Sequence, residues 1–181
     1  MEKSISKVTT KLSTEAAFIL LTVVSAVVLP QIFHGVGVLL GVGGKLGQIF
    51  LPMYIPVLIL GFYRGPASGA IAGLLSPLVS FLITEMPSAA LLPFITLELI
   101  VMGLLAGVLA NSKLHATLRV LLVQVIAKAS RLIVFAISLA ITTGGVSAGA
   151  LFNGILISIP GVIIQLALMT YLIMEKEKPH E

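Results

Sequence analysis

Apolar residues fill most of the chain in six long runs, which short polar or glycine-rich stretches separate. A helix needs about 20 mostly apolar residues to cross a bilayer, and each run is close to that length. We therefore predict membrane-spanning helices at about residues 14–32, 47–63, 66–84, 91–110, 118–142 and 149–174. The pattern is typical of an all-α integral membrane protein, in which residues 1–181 form a single six-helix transmembrane domain.

Lysine and arginine residues in the tails, in the connections and at the edges of the apolar runs fall almost entirely on one side of this predicted bundle. Only Lys45 lies on the other side. The eight on the richer side are Lys3, Lys7, Lys11, Arg64, Lys113, Arg119, Lys176 and Lys178. Because cytoplasmic loops carry an excess of Lys and Arg, we expect both termini in the cytoplasm. The first run has no small-residue cleavage pattern before Pro30, so we expect a retained helix rather than a signal peptide.

Three connections then face the outside, at about residues 33–46, 85–90 and 143–148. The first contains the run FHGVGVLLGVGGK at residues 33–45, which is too glycine-rich to predict a helix and too apolar for a solvated linker. Because glycine permits close backbone approach, we expect either a lid over the bundle or a flexible external loop. The run has neither the dinucleotide-binding nor the Walker A spacing of glycines.

Composition agrees with a membrane protein and excludes several functions. Hydrophobic residues make up 58% of the chain and charged residues 10%, against about 25% charged in soluble domains. The net charge of +4 is too sparse for a nucleic-acid partner. No Cys and three scattered His argue against a metal site. Motifs of intramembrane proteases and ATP-binding loops are missing. We expect no catalytic residue, no cofactor in this chain and no enzymatic activity.

The main candidate site is a charged face inside the fifth run. Gln124, Lys128 and Arg131 recur at i, i+4 and i+7, so they share one face of a helix. A charge inside the bilayer costs about 2.5 kcal/mol or more, which favours pairing with Glu98 of the fourth run. Because Glu98 neutralises one cation, a ligand anion could neutralise the other. Alternatively, Arg131 pairs with Glu98 while Lys128 snorkels to a carbonyl or water, or loses its proton.

Other candidate ligand contacts lie near the same outer side. Glu85 follows the third run and Asn153 begins the sixth, where each could instead be an interfacial cap. Tyr54 lies between Pro52 and Pro56, which should kink or loosen the second run and could line a pocket. Without tryptophan, recognition of a ring would have to use Phe33, Tyr54, Phe94 or Phe135.

Glycines recur at four-residue spacing in the third and fourth runs. They are Gly65, Gly69 and Gly73, and then Gly103 and Gly107. Small residues at this spacing let membrane helices approach closely. We expect them to pack helices within the bundle, and a partner membrane protein is the alternative contact.

Three stretches carry a resemblance to a known family. They are residues 51–58 (LPMYIPVL), residues 61–66 (GFYRGP) with Gly69 and Gly73, and the Glu85-Met86-Pro87 turn. They resemble the substrate-binding S component of energy-coupling factor transporters. The resemblance implies a six-helix vitamin-binding protein in the plasma membrane of a prokaryote. It would capture substrate outside, under loops one and three, and its partners would be a transmembrane scaffold subunit and two ATP-hydrolysing subunits.

The resemblance also implies roles for particular residues. The positions that fall where the family places its ligand are Lys128, Arg131, Glu98, Asn153, Tyr54 and the first outer loop, which contains Phe33 and His34. The family often has Ala-x-x-x-Ala on helix one for docking to the scaffold. Here the small residues near that spacing are Ser13 with Ala17 and Thr22 with Ala26.

Three functional hypotheses follow. The first is substrate capture for vitamin import, and the unmatched cation favours an anionic vitamin such as pantothenate. Cobalamin and a pyrimidine- or pyridoxine-type vitamin are the competing ligands. The second is a self-sufficient ion-coupled carrier in which Glu98 and Lys128 titrate. The third is a structural membrane subunit whose charged residues only hold helices together.

Overall fold

The computed structural model describes residues 2–141 and 148–178, and its side chains are described for residues 12–138, 149 and 153–178. These ranges contain eight helices and no strand. The helices are α1 (Glu2–Leu39), α2 (Lys45–Phe50), α3 (Tyr54–Arg64), α4 (Pro66–Thr84), α5 (Leu92–Leu109), α6 (Ala116–Ile141), α7 (Ala148–Ile157) and α8 (Ile159–Glu177). The third predicted outer connection, residues 143–148, lies outside the described residues except for Ala148.

Six segments are long and apolar enough to cross a membrane, which confirms the predicted number among the described residues. The segments are Leu12–Leu39, Lys45–Arg64, Pro66–Thr84, Leu92–Leu109, Ala116–Ser138 and Ile159–Glu177. Many large apolar side chains on the outside of the bundle are exposed, including Leu20, Leu82, Val125, Ile133 and Ile163. Exposed apolar surface of this extent is typical of a protein surrounded by lipid.

The glycine-rich run differs from the prediction of a non-helical loop at residues 33–46. Helix α1 continues to Leu39, so Gly35 and Gly37 are helical and only residues 40–44 connect α1 to α2. A glycine inside a helix costs only about 1 kcal/mol relative to alanine, so the two glycines Gly35 and Gly37 do not end α1. The helix ends where Gly41 and Gly43 take positive φ angles of 72° and 60°, a conformation that glycine adopts readily.

Two predicted helices are each divided in the structure. The second run becomes α2 and α3, which residues 51–53 separate, and Leu51 has a left-handed φ of 49°. Pro52 provides no amide for the hydrogen-bond ladder, so the predicted kink is a complete break. The sixth run becomes α7 and α8, which Ser158 separates. Pro160 occupies the first turn of α8, where its missing amide costs nothing.

Helices α4 and α5 pack backbone against backbone through their glycines. A Cβ atom added to Gly69 would overlap the carbonyl oxygen of Gly103, and one added to Gly103 would overlap that of Gly69. A Cβ at Gly73 would meet the carbonyl of Leu99 in the same way. The spacing of small residues therefore packs helices within the bundle, as predicted.

The end of the bundle that carries Glu15, Arg64, Arg119 and Glu177 is called the basal end below. There Arg64 of α3 pairs with Glu15 of α1, and Arg119 of α6 pairs with Glu177 of α8 at 2.5 Å. Arg119 also donates to the carbonyl of Ala110 at 3.0 Å. The two ion pairs join α1 to α3 and α6 to α8 at the end opposite the site described next.

Candidate functional site

A hydrogen-bonded charged cluster lies inside the bundle, formed by Tyr54, Glu98, Lys128 and Arg131. Glu98 of α5 is completely buried, and its Oε1 accepts a hydrogen bond from Lys128 Nζ at 3.1 Å. Its Oε2 accepts from Arg131 Nη1 at 3.0 Å and from the Tyr54 hydroxyl at 3.0 Å. The predicted pairing of Glu98 with the polar face of the fifth spanning helix is confirmed.

Local structure explains why these side chains meet. Lys128 and Arg131 lie three residues apart on α6, so both project from one face of that helix. Tyr54 is the first residue of α3, and its amide donates to the carbonyl of Leu51 at 3.0 Å. The break before α3 therefore fixes the start of the helix that carries the phenol. Lys128 Nζ also lies 5.7 Å from the centre of the Tyr54 ring, within cation–π distance.

The cluster contains two basic side chains and one carboxylate. Both cations contact Glu98, so the arrangement differs from the alternative in which Lys128 turns away to a carbonyl or water. With all three groups ionised, the formal charge of the cluster is positive by one unit. A buried unbalanced charge is costly, and a bound anion would balance it.

A cavity of about 770 Å³ opens at the end of the bundle opposite the basal end. Five predicted ligand-contact residues line it: His34, Tyr54, Glu85, Arg131 and Asn153. Glu85 and Asn153 are exposed at its rim, His34 is half-buried, and Tyr54 is buried. The side chain of Arg131 is only 11% exposed. The cavity thus extends from an exposed polar rim to the charged cluster.

The other three predicted ligand contacts lie outside the lining. Glu98 and Lys128 are held behind Arg131 and Tyr54 by the hydrogen bonds given above. The ring of Phe33 packs against that of Phe50, with 5.4 Å between the ring centres. Of the other rings named from the sequence, Phe94 and Phe135 contact each other edge to face at 5.8 Å. Tyr54 is therefore the ring from that group that lines the cavity.

Two buried polar atoms of the cavity wall have no hydrogen-bond partner in the described part of the chain. They are the Nε of Arg131 and the Oγ of Ser80. Ser80 lies on α4 and was not predicted as a site residue. A serine in an apolar helix is a weak signal, because its hydroxyl usually bonds to a carbonyl of the preceding turn.

A second polar network supports the break between α2 and α3. Gln124 Nε2 donates to Gln165 Oε1 at 2.7 Å. Gln165 Nε2 in turn faces the carbonyl oxygens of Phe50 at 3.4 Å and Leu51 at 3.2 Å. These carbonyls belong to the end of α2, where the helical ladder is interrupted. Gln124 shares the face of Lys128 as predicted, but its partner is structural. Gln165, a lone amide in the last apolar run, was missed.

The predicted docking residues lie on two different faces of α1. Ser13 and Ala17 are exposed, whereas Thr22 and Ala26 are buried in the bundle. Ser13 and Thr22 are nine residues apart, which is about two and a half helical turns, so the two pairs face opposite directions. In this conformation only Ser13 and Ala17 are accessible to a partner.

No group of three or more His, Asp or Glu side chains that could hold a metal ion occurs in the described parts of the chain. Comparison with protein-family models, with curated proteins and with solved structures found no match for this chain. The cavity and the charged cluster are therefore the features of the molecule that indicate a function.

Proposed function

We propose that this protein is the substrate-capture subunit of an ATP-dependent importer of the energy-coupling factor type, and that its ligand is a small anionic vitamin. The observation that carries the proposal is the position of Arg131. This residue faces a cavity of about 770 Å³ and shares Glu98 with Lys128. Ligand pockets are typically about 300–1,000 Å³, and charge-assisted hydrogen bonds from arginine suit a carboxylate or phosphate.

Pantothenate is the first candidate ligand, because it carries one carboxylate on a chain that a cavity of this size accommodates. Cobalamin, which carries a phosphodiester, and a pyrimidine- or pyridoxine-type vitamin follow as competing candidates. The cavity lining supports a compact ligand with apolar parts, since Leu51, Met53, Leu91 and Ile95 contribute to its walls.

The proposed cycle includes partners in the membrane. A transmembrane scaffold subunit and two ATP-binding subunits would energise import, because this chain has no phosphate-binding loop. We place the protein in the plasma membrane of a prokaryote with both termini cytoplasmic, as the sidedness of Lys and Arg favours. Ser13 and Ala17 of α1 are the accessible candidates for docking. Uptake by the chain alone, driven by an imposed ion gradient in vesicles, would contradict this dependence on partners.

Native mass spectrometry of the detergent-purified protein tests ligand capture, followed by identification of any compound released on denaturation. We expect one small anion per protein. Arg131→Gln should weaken binding of that anion at least about tenfold, because a hydrogen bond to a charged group contributes about 1.5–3 kcal/mol. Calorimetric titration of the identified anion measures the loss.

Arg119→Gln is the matched control. Arg119 is also buried and paired with a carboxylate, but it lies at the basal end, so its loss should lower stability and leave affinity unchanged. A released vitamin that is neutral or cationic would contradict the charge argument. An empty protein that gains no thermal stability from a panel of vitamins would contradict capture itself, because a ligand of the native state raises its stability.

A further inference from the structure

We infer that Ser80 is a second ligand-contacting residue, so the cavity selects an anion that also carries a hydroxyl or amide group at a distance from its charge. The inference rests on the proposed function, because it assumes that Arg131 binds the charged group. It adds a specificity-determining residue on a different helix.

The hydroxyl of Ser80 lacks the bond that polar side chains in helices usually form. Ser80 is 1% exposed, and its Oγ has no hydrogen-bond partner in the described part of the chain. Two threonines, one on α4 and one on α5, do bond to the preceding turn: Thr84 donates to the carbonyl of Ser80 at 2.8 Å, and Thr96 to that of Leu92 at 2.7 Å. A buried hydroxyl left unbonded costs free energy, and Ser80 lies where a ligand can supply the partner.

Ser76 shows that lack of a partner alone does not define a ligand contact. It lies one turn before Ser80 on α4, is completely buried, and also has no partner for its Oγ in the described chain. Ser76 is not part of the cavity lining, whereas Ser80 is. Position in the cavity lining therefore distinguishes the two serines.

Ser80 and Arg131 reach the cavity from helices that do not touch. Within the described residues α4 packs against α1, α3 and α5, and makes no contact with α6. The lining that accompanies these two polar groups is largely apolar, with Met53, Leu91 and Ile95 among its members. A ligand that uses both sites therefore has a carboxylate at one end, an apolar middle and a hydroxyl or amide further along.

Calorimetric titration with two carboxylates tests this arrangement. Pantothenate carries hydroxyl and amide groups, and hexanoate carries neither. We expect wild-type protein to prefer pantothenate and Ser80→Ala to weaken pantothenate binding about tenfold. Hexanoate affinity should stay unchanged, so the ratio of pantothenate affinity to hexanoate affinity falls by the same factor. Ser76→Ala, the matched control, should leave both affinities unchanged.

The possible failures are distinguishable. The role of Ser80 is overturned if Ser80→Ala binds pantothenate as tightly as the wild type does, or if Ser76→Ala loses as much pantothenate affinity as Ser80→Ala. Either result leaves the proposed function standing. A wild-type protein that binds neither carboxylate contradicts pantothenate as the ligand and the inference with it, whereas a different anion released from the purified protein would leave substrate capture standing. If Ser80→Ala does not fold, Ser80→Cys keeps the size of the side chain with a much weaker hydrogen-bonding group, and the same loss is expected.

Discussion

Glu98 accepts hydrogen bonds from three side chains on two other helices, and this makes it the residue on which the charged cluster depends. Two of its three partners are cations, and the third is the buried hydroxyl of Tyr54. Removing one member of a buried ion pair leaves an uncompensated charge, which is more damaging than the loss of the attraction alone. The carboxylate therefore matters for folding before any ligand arrives.

We predict that Glu98→Gln lowers the free energy of unfolding by about 3–5 kcal/mol, because Lys128 and Arg131 would remain as two largely buried cations without a counter-charge. Thermal unfolding in detergent measures the change as a lower Tm. Replacing Lys128 with Met in the same variant should restore part of the loss, since it removes one of the two unpaired charges.

Glu15→Gln is a suitable control for this substitution. Glu15 also pairs with an arginine, but its side chain is 25% exposed at the basal end, where solvent screens the pair and its contribution is small. A Glu98→Gln variant that unfolds at the same temperature as Glu15→Gln would show that the cluster does not stabilise the bundle.

At the residue scale, sequence predicts charged contacts well and neutral polar contacts poorly. The high cost of a charge in a membrane restricts Glu98, Lys128 and Arg131 to few arrangements, and their pairing follows from helical spacing. Ser80 and Gln165 carry no such cost, because a hydroxyl or an amide finds partners in many positions. Only the three-dimensional structure shows that Ser80 lies in the cavity lining and that Gln165 bonds to carbonyls at the α2–α3 break.

Among the helices, α4 and α5 form the most constrained pair, because their glycines bring the two backbones into contact. We predict that Gly103→Ala destabilises the protein by about 1–3 kcal/mol, the usual cost of overpacking, since the added methyl group would overlap the carbonyl of Gly69. The loss is measured as a lower Tm in detergent.

Gly35→Ala provides the opposite case. Gly35 lies inside α1, and a Cβ added there meets no atom within 4 Å. Alanine is the better helix former by about 1 kcal/mol, so this variant should be as stable as the wild type or more stable. Equal destabilisation by both substitutions would contradict the packing argument.

Sequence located the spanning helices but not their ends and breaks. Apolar length alone identifies a spanning segment. Helix α1 continues through Gly35 and Gly37 for a different reason: in lipid, the backbone N–H and C=O groups have no water to bond to instead of one another. In an apolar medium an unbonded backbone group is costly, so glycine does not end a helix there. The turn at Gly41 and Gly43, where φ is positive, is what ends α1.

For the whole molecule, the asymmetry of Lys and Arg predicts which end of the bundle faces the cytoplasm. Because the chain contains no cysteine, single-cysteine variants give an unambiguous test. Ser88 lines the cavity, and Asn111 lies between α5 and α6 near the basal end; both residues are exposed. We expect Ser88→Cys to react with a membrane-impermeant maleimide in intact cells.

Asn111→Cys should react with the same reagent only after the membrane is permeabilised, because the Lys- and Arg-rich end is retained in the cytoplasm. The unmodified protein, which has no thiol, controls for background labelling. The reverse pattern of labelling would place the cavity on the cytoplasmic side and would contradict capture from outside.

The sequence also indicated much of the cavity at this scale, since residues from five separate predicted helices or loops line it. His34, Tyr54, Glu85, Arg131 and Asn153 are distant along the chain, and their common feature was position near one side of the membrane. The sequence could not show which of the predicted residues reach the cavity surface. Glu98 and Lys128 are not part of the cavity lining, and the ring of Phe33 packs on that of Phe50. Whether a side chain reaches the cavity depends on how its helix is rotated about its own axis.

The contact of Gln165 with the carbonyls of Phe50 and Leu51 has a consequence for the order of assembly. Helices are synthesised from the N-terminus, so the interrupted second span enters the membrane long before α8 exists. Until then these carbonyls lack the amide partner that Gln165 provides, in surroundings where an unbonded carbonyl is costly. Helix α8 therefore completes the interrupted second span, and a nascent chain that stops before α8 is left with an unfinished cavity wall.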